Sequence, residues 1–230
     1  MKTIGLIGGM SWESTIPYYR CINESVKQRL GGLHSARLIL YSVDFHDVER
    51  LQQLGQWQEA GACLARAARS LEVAGADFLV LCTNTMHKVA PAIEAAVGIP
   101  LLHIADPTAA AIERAGIQRI GLLGTRFTME QDFYRQRLET QHGLQVLIPE
   151  ETDRELVHRV IYDELCLGVI AEHSRQGFRD VIARLLEQGA EGVILGCTEI
   201  SLLVGAADSP VPIFDTTALH AASAAEWALC

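Results

Sequence analysis

Two stretches of the chain read almost alike: GADFLVLCT at residues 75–83 and GAEGVILGCT at residues 189–198. They align from their first residues at an offset of 114, which sets Thr83 opposite Cys197. A period this long is far beyond the 20 to 50 residues or so of solenoid repeats. It predicts instead that one half of the chain duplicates the other.

Two further pairs of segments support the duplication. IGLIG at 4–8 repeats as IGLLG at 120–124, and IPLL at 99–102 repeats as VPIF at 211–214. Their offsets are 116 and 112 residues, close to the first. Three ordered matches predict two similar folding units that face each other across a cleft, where equivalent strand ends meet.

Short apolar runs bounded by glycine or polar residues predict eight buried strands, at 4–8, 37–43, 77–82, 100–104, 119–123, 144–148, 191–195 and 211–214. Segments with helical spacing lie between them, such as Gln58 to Ala74 and Arg175 to Gln188. Continuous apolar strands that alternate with helices are typical of parallel sheets covered on both faces, with ligands bound beyond the strand C-terminal ends. The fold class is therefore α/β, with two pseudo-symmetric domains, each a four-stranded parallel sheet flanked by helices.

The predicted domains are 1–103 with 216–230, and 104–215. The last helix, Ala218 to Leu229, is expected to pack back on the first half. No Pro/Ser-rich linker joins the two predicted domains, so we expect closely packed halves with the active site in the cleft between them.

Composition excludes several classes of protein. The formal net charge is −9 and no basic run interrupts it, so nucleic acid is not an expected partner. The apolar run after Met1 is too short for a signal peptide or a membrane span, which predicts a cytoplasmic protein without membrane contact. The six cysteines form no CxxC pair and no HExxH motif occurs, so no metal site is expected.

Cys197 is the first candidate catalytic residue. It follows the predicted strand Val193-Ile194-Leu195 and precedes an apolar stretch that can open a helix. Backbone N–H groups at a helix start stabilise a thiolate, so we expect the pKa of this thiol to be lowered. A buried cysteine that only fills a tight strand end is the alternative.

The matching segment of the first half is CTNTMH at residues 82–87. Thr83, Asn84 and Thr85 offer hydroxyls, an amide and backbone N–H groups at a helix start, which suits a carboxylate. Simple capping of the helix by these residue types is equally compatible with the pattern.

With these motifs and the opening IGLIGGMSWESTIPYY, the chain resembles the aspartate/glutamate racemase family over essentially its whole length. The resemblance implies a cofactor-independent racemase, an isomerase that acts on a free amino acid without pyridoxal phosphate. In that family two cysteines remove and return the α-proton on opposite faces of Cα. It further implies that Cys197 acts on the L-enantiomer, that Asn84, Thr85 and Thr198 hold the carboxylate and amino group, and that the protein is a homodimer.

The chain departs from the family pattern at the first catalytic position. Thr83 stands where the first cysteine belongs, and a hydroxyl is a far weaker acid than a thiol. Cys82 is displaced by one residue, which turns its side chain to the other face of the strand and into the sheet packing. We therefore expect solvent deuterium to enter Cα faster from the L-substrate than from the D-substrate.

The second departure concerns the substrate side chain. Arg50 matches the arginine that holds the side-chain carboxylate in aspartate-specific members, but Cys166 stands where a lysine is expected. Without that cation the preference for acidic substrates weakens, and neutral ones become plausible. Met10 and Thr125 at strand-end turns, and Glu199 beside Cys197, complete the candidate binding residues.

Two other functions fit the same residues. Cys197 can be the nucleophile of an isomerase or amide hydrolase that forms a covalent intermediate on this scaffold. The chain can also be an amino-acid-binding protein that has lost turnover.

Overall fold

A computed structural model describes residues 1–230. The chain divides into two compact units, Met1–Ile104 with His220–Cys230, and Ala105–Leu219. All eight predicted strands are present, and each unit holds one four-stranded sheet. The strands are β1 Ile4–Gly8, β2 Leu38–Ser42, β3 Phe78–Leu81, β4 Leu101–Leu102, β5 Arg119–Gly124, β6 Gln145–Leu147, β7 Gly192–Gly196 and β8 Ile213–Asp215.

The two sheets have the same topology and the same register. Their strand orders are β2-β1-β3-β4 and β6-β5-β7-β8, and all pairs are parallel. Ile7 pairs with Leu81 in the first sheet, and Leu123 pairs with Leu195 in the second. These are equivalent residues of the sequence repeat, so the repeat offsets correspond to register in the sheets and the α/β fold class is confirmed.

Helices connect the strands of both units. The α-helices are α1 Trp12–Leu30, α2 Phe45–Gln53, α3 Trp57–Val73, α4 Ala90–Glu94, α5 Ala105–Arg114, α6 Arg126–Glu130, α7 Asp132–His142, α8 Glu151–Asp163, α9 Glu172–Glu187, α10 Ile200–Leu203 and α11 Thr216–Leu229. Three short 3-10 helices lie at Thr85–Val89, Leu165–Leu167 and Ala206–Asp208. None of the helices has both the length and the apolar composition that crossing a bilayer requires.

The acidic residue of each repeat holds the start of the neighbouring strand. Asp77 accepts a hydrogen bond of 2.6 Å from the backbone N–H of Thr3, and Glu191 accepts one of 2.9 Å from that of Arg119. Both carboxylates thus satisfy a backbone donor at the N-terminal edge of their sheet. The glycines that precede them, Gly75 and Gly189, have φ of 96° and 93°, which favours glycine over any other residue.

Helix α11 completes the core of the first unit. Its alanines at positions 221, 224, 225 and 228 are fully buried and lie in one cluster with Ile4, Leu6, Phe78 and Val80. The spacing of these alanines puts them on one helix face. The opposite face of the same sheet packs on α3, which contributes Leu64, Ala67, Ala68 and Leu71. Both faces are covered, which is the arrangement that continuous apolar strands predict.

Candidate active site

In the first unit, candidate residues follow two neighbouring strands. Met10 lies just beyond β1 and Thr83 just beyond β3, and these strands run parallel, so their C-terminal ends lie at the same edge. The turn after β1 requires Gly9, which has φ of 91° and approaches β2 closely: a Cβ there would lie 2.4 Å from the Val43 carbonyl oxygen. The Met10 side chain is buried in the core. A substrate contact from Met10 would therefore come from its backbone.

Thr83, Asn84 and Thr85 are buried polar residues at the end of β3, and Thr83 is 7% exposed. Thr85 begins a 3-10 helix of five residues rather than an α-helix. The Asn84 side chain does not cap that helix. The capping alternative therefore does not account for Asn84.

Cys82 points away from this group, as the strand parity predicts. It has no exposed surface and lies in the core cluster with Leu6, Tyr18 and Val80. Burial raises the pKa of its thiol strongly, so it stays protonated. Cys82 is a core residue.

In the second unit, Thr125 and Cys197 follow the adjacent parallel strands β5 and β7, where Gly124 pairs with Gly196. The Thr125 hydroxyl accepts a hydrogen bond of 3.3 Å from the backbone N–H of Thr128 and so caps α6. This capping is a structural role that Thr125 has whether or not it contacts a ligand.

The Cys197 side chain is part of a small hydrogen-bonded group. Its Sγ donates to Oε2 of Glu199 over 3.0 Å, and the Thr198 hydroxyl donates to the same oxygen over 2.8 Å. Cys197 is 8% exposed, Glu199 and Thr198 2% each. A buried carboxylate that accepts from a thiol is placed to take its proton.

The structure overturns the expected low pKa of Cys197. Burial raises the pKa of this thiol well above its usual value, and the negative charge of Glu199 and the nearby Cys166 raise it further. The helix that follows, α10, has only four residues. Its dipole is too short to offset the adjacent carboxylate, so at rest Cys197 is a thiol and not a thiolate.

Two residues that bear on side-chain specificity lie on other elements. Arg50 is exposed on α2. Cys166 lies in the 3-10 helix Leu165–Leu167, which packs against α10 and so near Cys197. Cys166 is a thiol and supplies no cation at this place.

The sequence pattern also missed one residue next to the site. His87 Nδ1 lies 2.7 Å from the Thr83 carbonyl oxygen. In the sequence, the apolar surroundings of His87 predict a core or surface histidine and not a catalyst. The spacing of four residues from Thr83, which puts both on one side of a helical turn, could have indicated the contact.

The structure contains no group of three or more His, Cys, Asp or Glu side chains arranged to hold a metal ion.

A family profile and several known proteins match this chain over most of its length. The profile of the Asp/Glu/Hydantoin racemase family matches residues 7–224. A putative Asp/Glu racemase from Yersinia pestis is 64% identical, with a TM-score of 0.92 and full coverage of both chains. An aspartate racemase homologue from Pyrococcus horikoshii OT3 is 34% identical, with a TM-score of 0.85 and full coverage of both. The broad specificity amino-acid racemase RacX of Bacillus subtilis is 23% identical, over 96% of this chain and 95% of its own.

The match covers both strand-end motifs and all eight strands except the first three residues of β1. Racemases are isomerases, so membership also gives the class of reaction. The chain belongs to the Asp/Glu/Hydantoin racemase family.

Proposed function

We propose that the protein racemises a free amino acid of the aspartate or glutamate type without a cofactor, with Cys197 and Thr83 acting on opposite faces of Cα. The observation that carries the proposal is the hydrogen bond from Cys197 to Glu199 at the end of β7. It supplies a thiol together with an acceptor for its proton, which is what abstraction of an α-proton requires. Family membership supports amino-acid racemase activity in general.

The raised pKa of Cys197 makes activation depend on the substrate. Transfer of the thiol proton to Glu199 leaves a thiolate beside a neutral carboxyl, and the α-ammonium of a bound amino acid stabilises that thiolate. The thiolate then takes the α-proton of the L-substrate and becomes a thiol again, leaving a carbanion at Cα. The Thr83 hydroxyl gives its proton to the other face, and solvent returns one to Thr83 while Glu199 loses one. Protons balance over the turnover.

The remaining candidates are proposed to bind the substrate. Asn84, Thr85 and Thr198 hold the α-carboxylate and amino group, and the backbone of Met10 and the turn at Thr125 line the pocket. Arg50 is proposed to pair with a side-chain carboxylate. With Cys166 in place of a second cation, neutral side chains are accepted as well. The name of RacX, a broad specificity amino-acid racemase, supports that breadth.

Incubation with single L-amino acids in heavy water tests the proposal. We expect Cα deuteration and formation of the D-enantiomer without any added cofactor, measured by mass spectrometry after chiral separation. Cys197→Ser is the matched control and should abolish both. Absence of deuteration with L-aspartate, L-glutamate and all neutral L-amino acids would contradict the proposal.

A covalent mechanism at Cys197 is the second candidate, because Thr83 provides no second thiol. It predicts a mass increase on the Cys197 peptide when the enzyme is quenched during turnover.

A pure binding protein predicts ligand affinity without deuteration, and Cys197→Ser would keep that affinity. The homodimer and the cytoplasmic location stay predictions.

A further inference from the structure

Four buried ring side chains cluster in the first unit: Tyr18, His87, His103 and His220. The His87 ring lies 4.4 Å from that of His103 and 6.0 Å from that of His220, measured between centroids. Tyr18 lies 5.6 Å from His220. Three buried imidazoles lie close together here, although histidine is only intermediate among residue types in how often it is buried. None of them has a part in the reaction proposed above.

The hydrogen-bond partners of His87 assign its tautomer. Nδ1 lies 2.7 Å from the Thr83 carbonyl oxygen, which can only accept, so Nδ1 carries a proton. Nε2 lies 3.2 Å from the backbone N–H of Ile104, which can only donate, so Nε2 carries none. His87 is therefore a neutral imidazole that donates to one strand end and accepts from the next.

His220 has the opposite tautomer. Its Nε2 donates to the Leu102 carbonyl over 2.9 Å, and its Nδ1 accepts from the Tyr18 hydroxyl over 2.9 Å. His220 thus holds β4, while His87 joins Ile104, the second residue after β4, to Thr83. The two rings bind different backbone groups, and only His87 contacts Thr83. The Tyr18–His220 pair is therefore a suitable control for His87.

The bridge made by His87 replaces sheet pairing at the place where that pairing stops. Strand β4 has only two residues, and its last pair with β3 is Val80 with Leu102. Beyond this pair the imidazole spans from the Ile104 amide to the Thr83 carbonyl. A side chain therefore fixes the backbone of Thr83 where the ladder no longer does.

We propose that His87 is a positioning residue, which orients Thr83 for proton delivery by holding its carbonyl oxygen. The proposal rests on the proposed function, in which the Thr83 hydroxyl serves one face of Cα. Displacement of a reacting group by about 1 Å can lower the rate by about 100-fold. Loss of the His87 donor should therefore impair the Thr83 step and spare the Cys197 step.

The two steps can be read separately from one reaction. L-aspartate or another turned-over L-substrate in heavy water yields deuterated L-amino acid when Cys197 returns the proton, and D-amino acid when Thr83 delivers it. The ratio of D-product to deuterated L-substrate measures the Thr83 step relative to the Cys197 step. A lesion that only lowers the folded fraction reduces both products equally and leaves this ratio unchanged.

Two substitutions separate the two contacts of His87. His87→Asn keeps an amide donor near the position of Nδ1 and loses the acceptor for Ile104. His87→Gln keeps an acceptor near the position of Nε2 and loses the donor to Thr83. We expect the ratio to stay within about 3-fold of wild type in His87→Asn and to fall by about 10-fold or more in His87→Gln. Tyr18→Phe should lower the melting temperature without changing the ratio.

Equal ratios in His87→Gln and wild type would overturn the proposal, as would a change in Tyr18→Phe as large as that in His87→Gln. Where His87→Gln does not fold, His87→Asn decides: a 10-fold fall in its ratio contradicts the proposal, and an unchanged ratio supports it. Wild-type enzyme that deuterates no L-amino acid shows instead that the proposed function has failed, and the proposal on His87 fails with it.

Discussion

The ends of β3 and β7 are equivalent in the repeat and in sheet register, yet their side chains are held in different ways. At β7, a carboxylate accepts from the Cys197 thiol. At β3, a neutral imidazole accepts from Ile104 and donates to the Thr83 carbonyl, so the backbone is held and no proton acceptor is supplied. In the proposed mechanism, the first of these strand ends transfers the proton of a thiol and the second is held in position through its backbone. The two halves share the same sheet topology, and the side chains at these equivalent strand ends differ.

Removal of the thiol at β7 is expected to have the largest effect. Cys197→Ser replaces the acid-base group by a hydroxyl, which should lower α-proton exchange from the L-substrate by about 10²- to 10⁴-fold. Deuterium incorporation at the initial rate measures the loss. Cys230→Ser makes the same substitution at an exposed position away from both strand ends and is the matched control, with exchange at the wild-type rate. If Cys197→Ser exchanged the α-proton within about 3-fold of the wild-type rate, the thiol at the end of β7 would not be the base that distinguishes this strand end from the end of β3.

Addition of a thiol at β3 should make the ends alike. Thr83→Cys supplies a stronger acid on the second face, so the yield of D-product per deuterated L-substrate should rise by about 10- to 100-fold. Chiral separation after reaction in heavy water gives the ratio. Thr83→Ser, which keeps a hydroxyl, should leave it near the wild-type value. A rise in both variants alike would mean that the acidity of residue 83 is not what limits inversion.

Neutralising the Glu199 carboxylate, after β7, should have opposite effects on the alkylation rate of the Cys197 thiol and on the rate of α-proton exchange. Burial and, after it, the charge of Glu199 raise the pKa of Cys197, so Glu199→Gln lowers that pKa and increases the thiolate fraction near neutral pH. Alkylation of the Cys197 peptide by iodoacetamide should become faster, by about 10-fold for each unit of pKa. Proton exchange should become slower, because Glu199 no longer accepts the thiol proton.

Glu187→Gln, at an exposed position on α9, controls for net charge and should change neither rate. Slower alkylation in Glu199→Gln would mean that the carboxylate stabilises the thiolate instead of the thiol. Peptide mapping is needed for this measurement, since other cysteines are partly or fully exposed.

The smallest effect is expected one residue before Thr83. Cys82→Ala removes a buried sulfur from the core and should lower the free energy of unfolding by about 1 kcal/mol. Exchange per folded molecule should not change, because the Cys82 side chain lies on the opposite face of the strand. Denaturant titration and deuterium exchange measure the two quantities. A loss of exchange as large as that of Cys197→Ser would assign Cys82 to the site.

Local sequence was sufficient for the fold. Apolar runs gave all eight strands, and the repeat gave the register, because Leu81 and Leu195 lie at equivalent pairs. Strand alternation placed Cys82 in the core, because its period of two residues leaves no freedom. These predictions succeed because backbone periodicity determines them.

The electrostatics of the site could not be obtained in this way. A strand-to-helix junction suggested a lowered pKa for Cys197, but α10 is short and the Glu199 side chain turns back to the thiol. The bridge from His87 to Ile104 likewise joins residues 17 positions apart. Both depend on side-chain rotamers and on contacts between separate segments, which hydropathy patterns do not encode.

The most direct measurement compares the two enantiomers. L- and D-forms of the same substrate are incubated separately in heavy water, and initial Cα deuteration is followed by mass spectrometry with Cys197→Ser as the blank. Proton abstraction by Cys197 from one face and a hydroxyl on the other predict faster deuteration of the L-form. Equal initial rates from both enantiomers, or rates that survive in Cys197→Ser, would contradict the chemical asymmetry between the two strand ends.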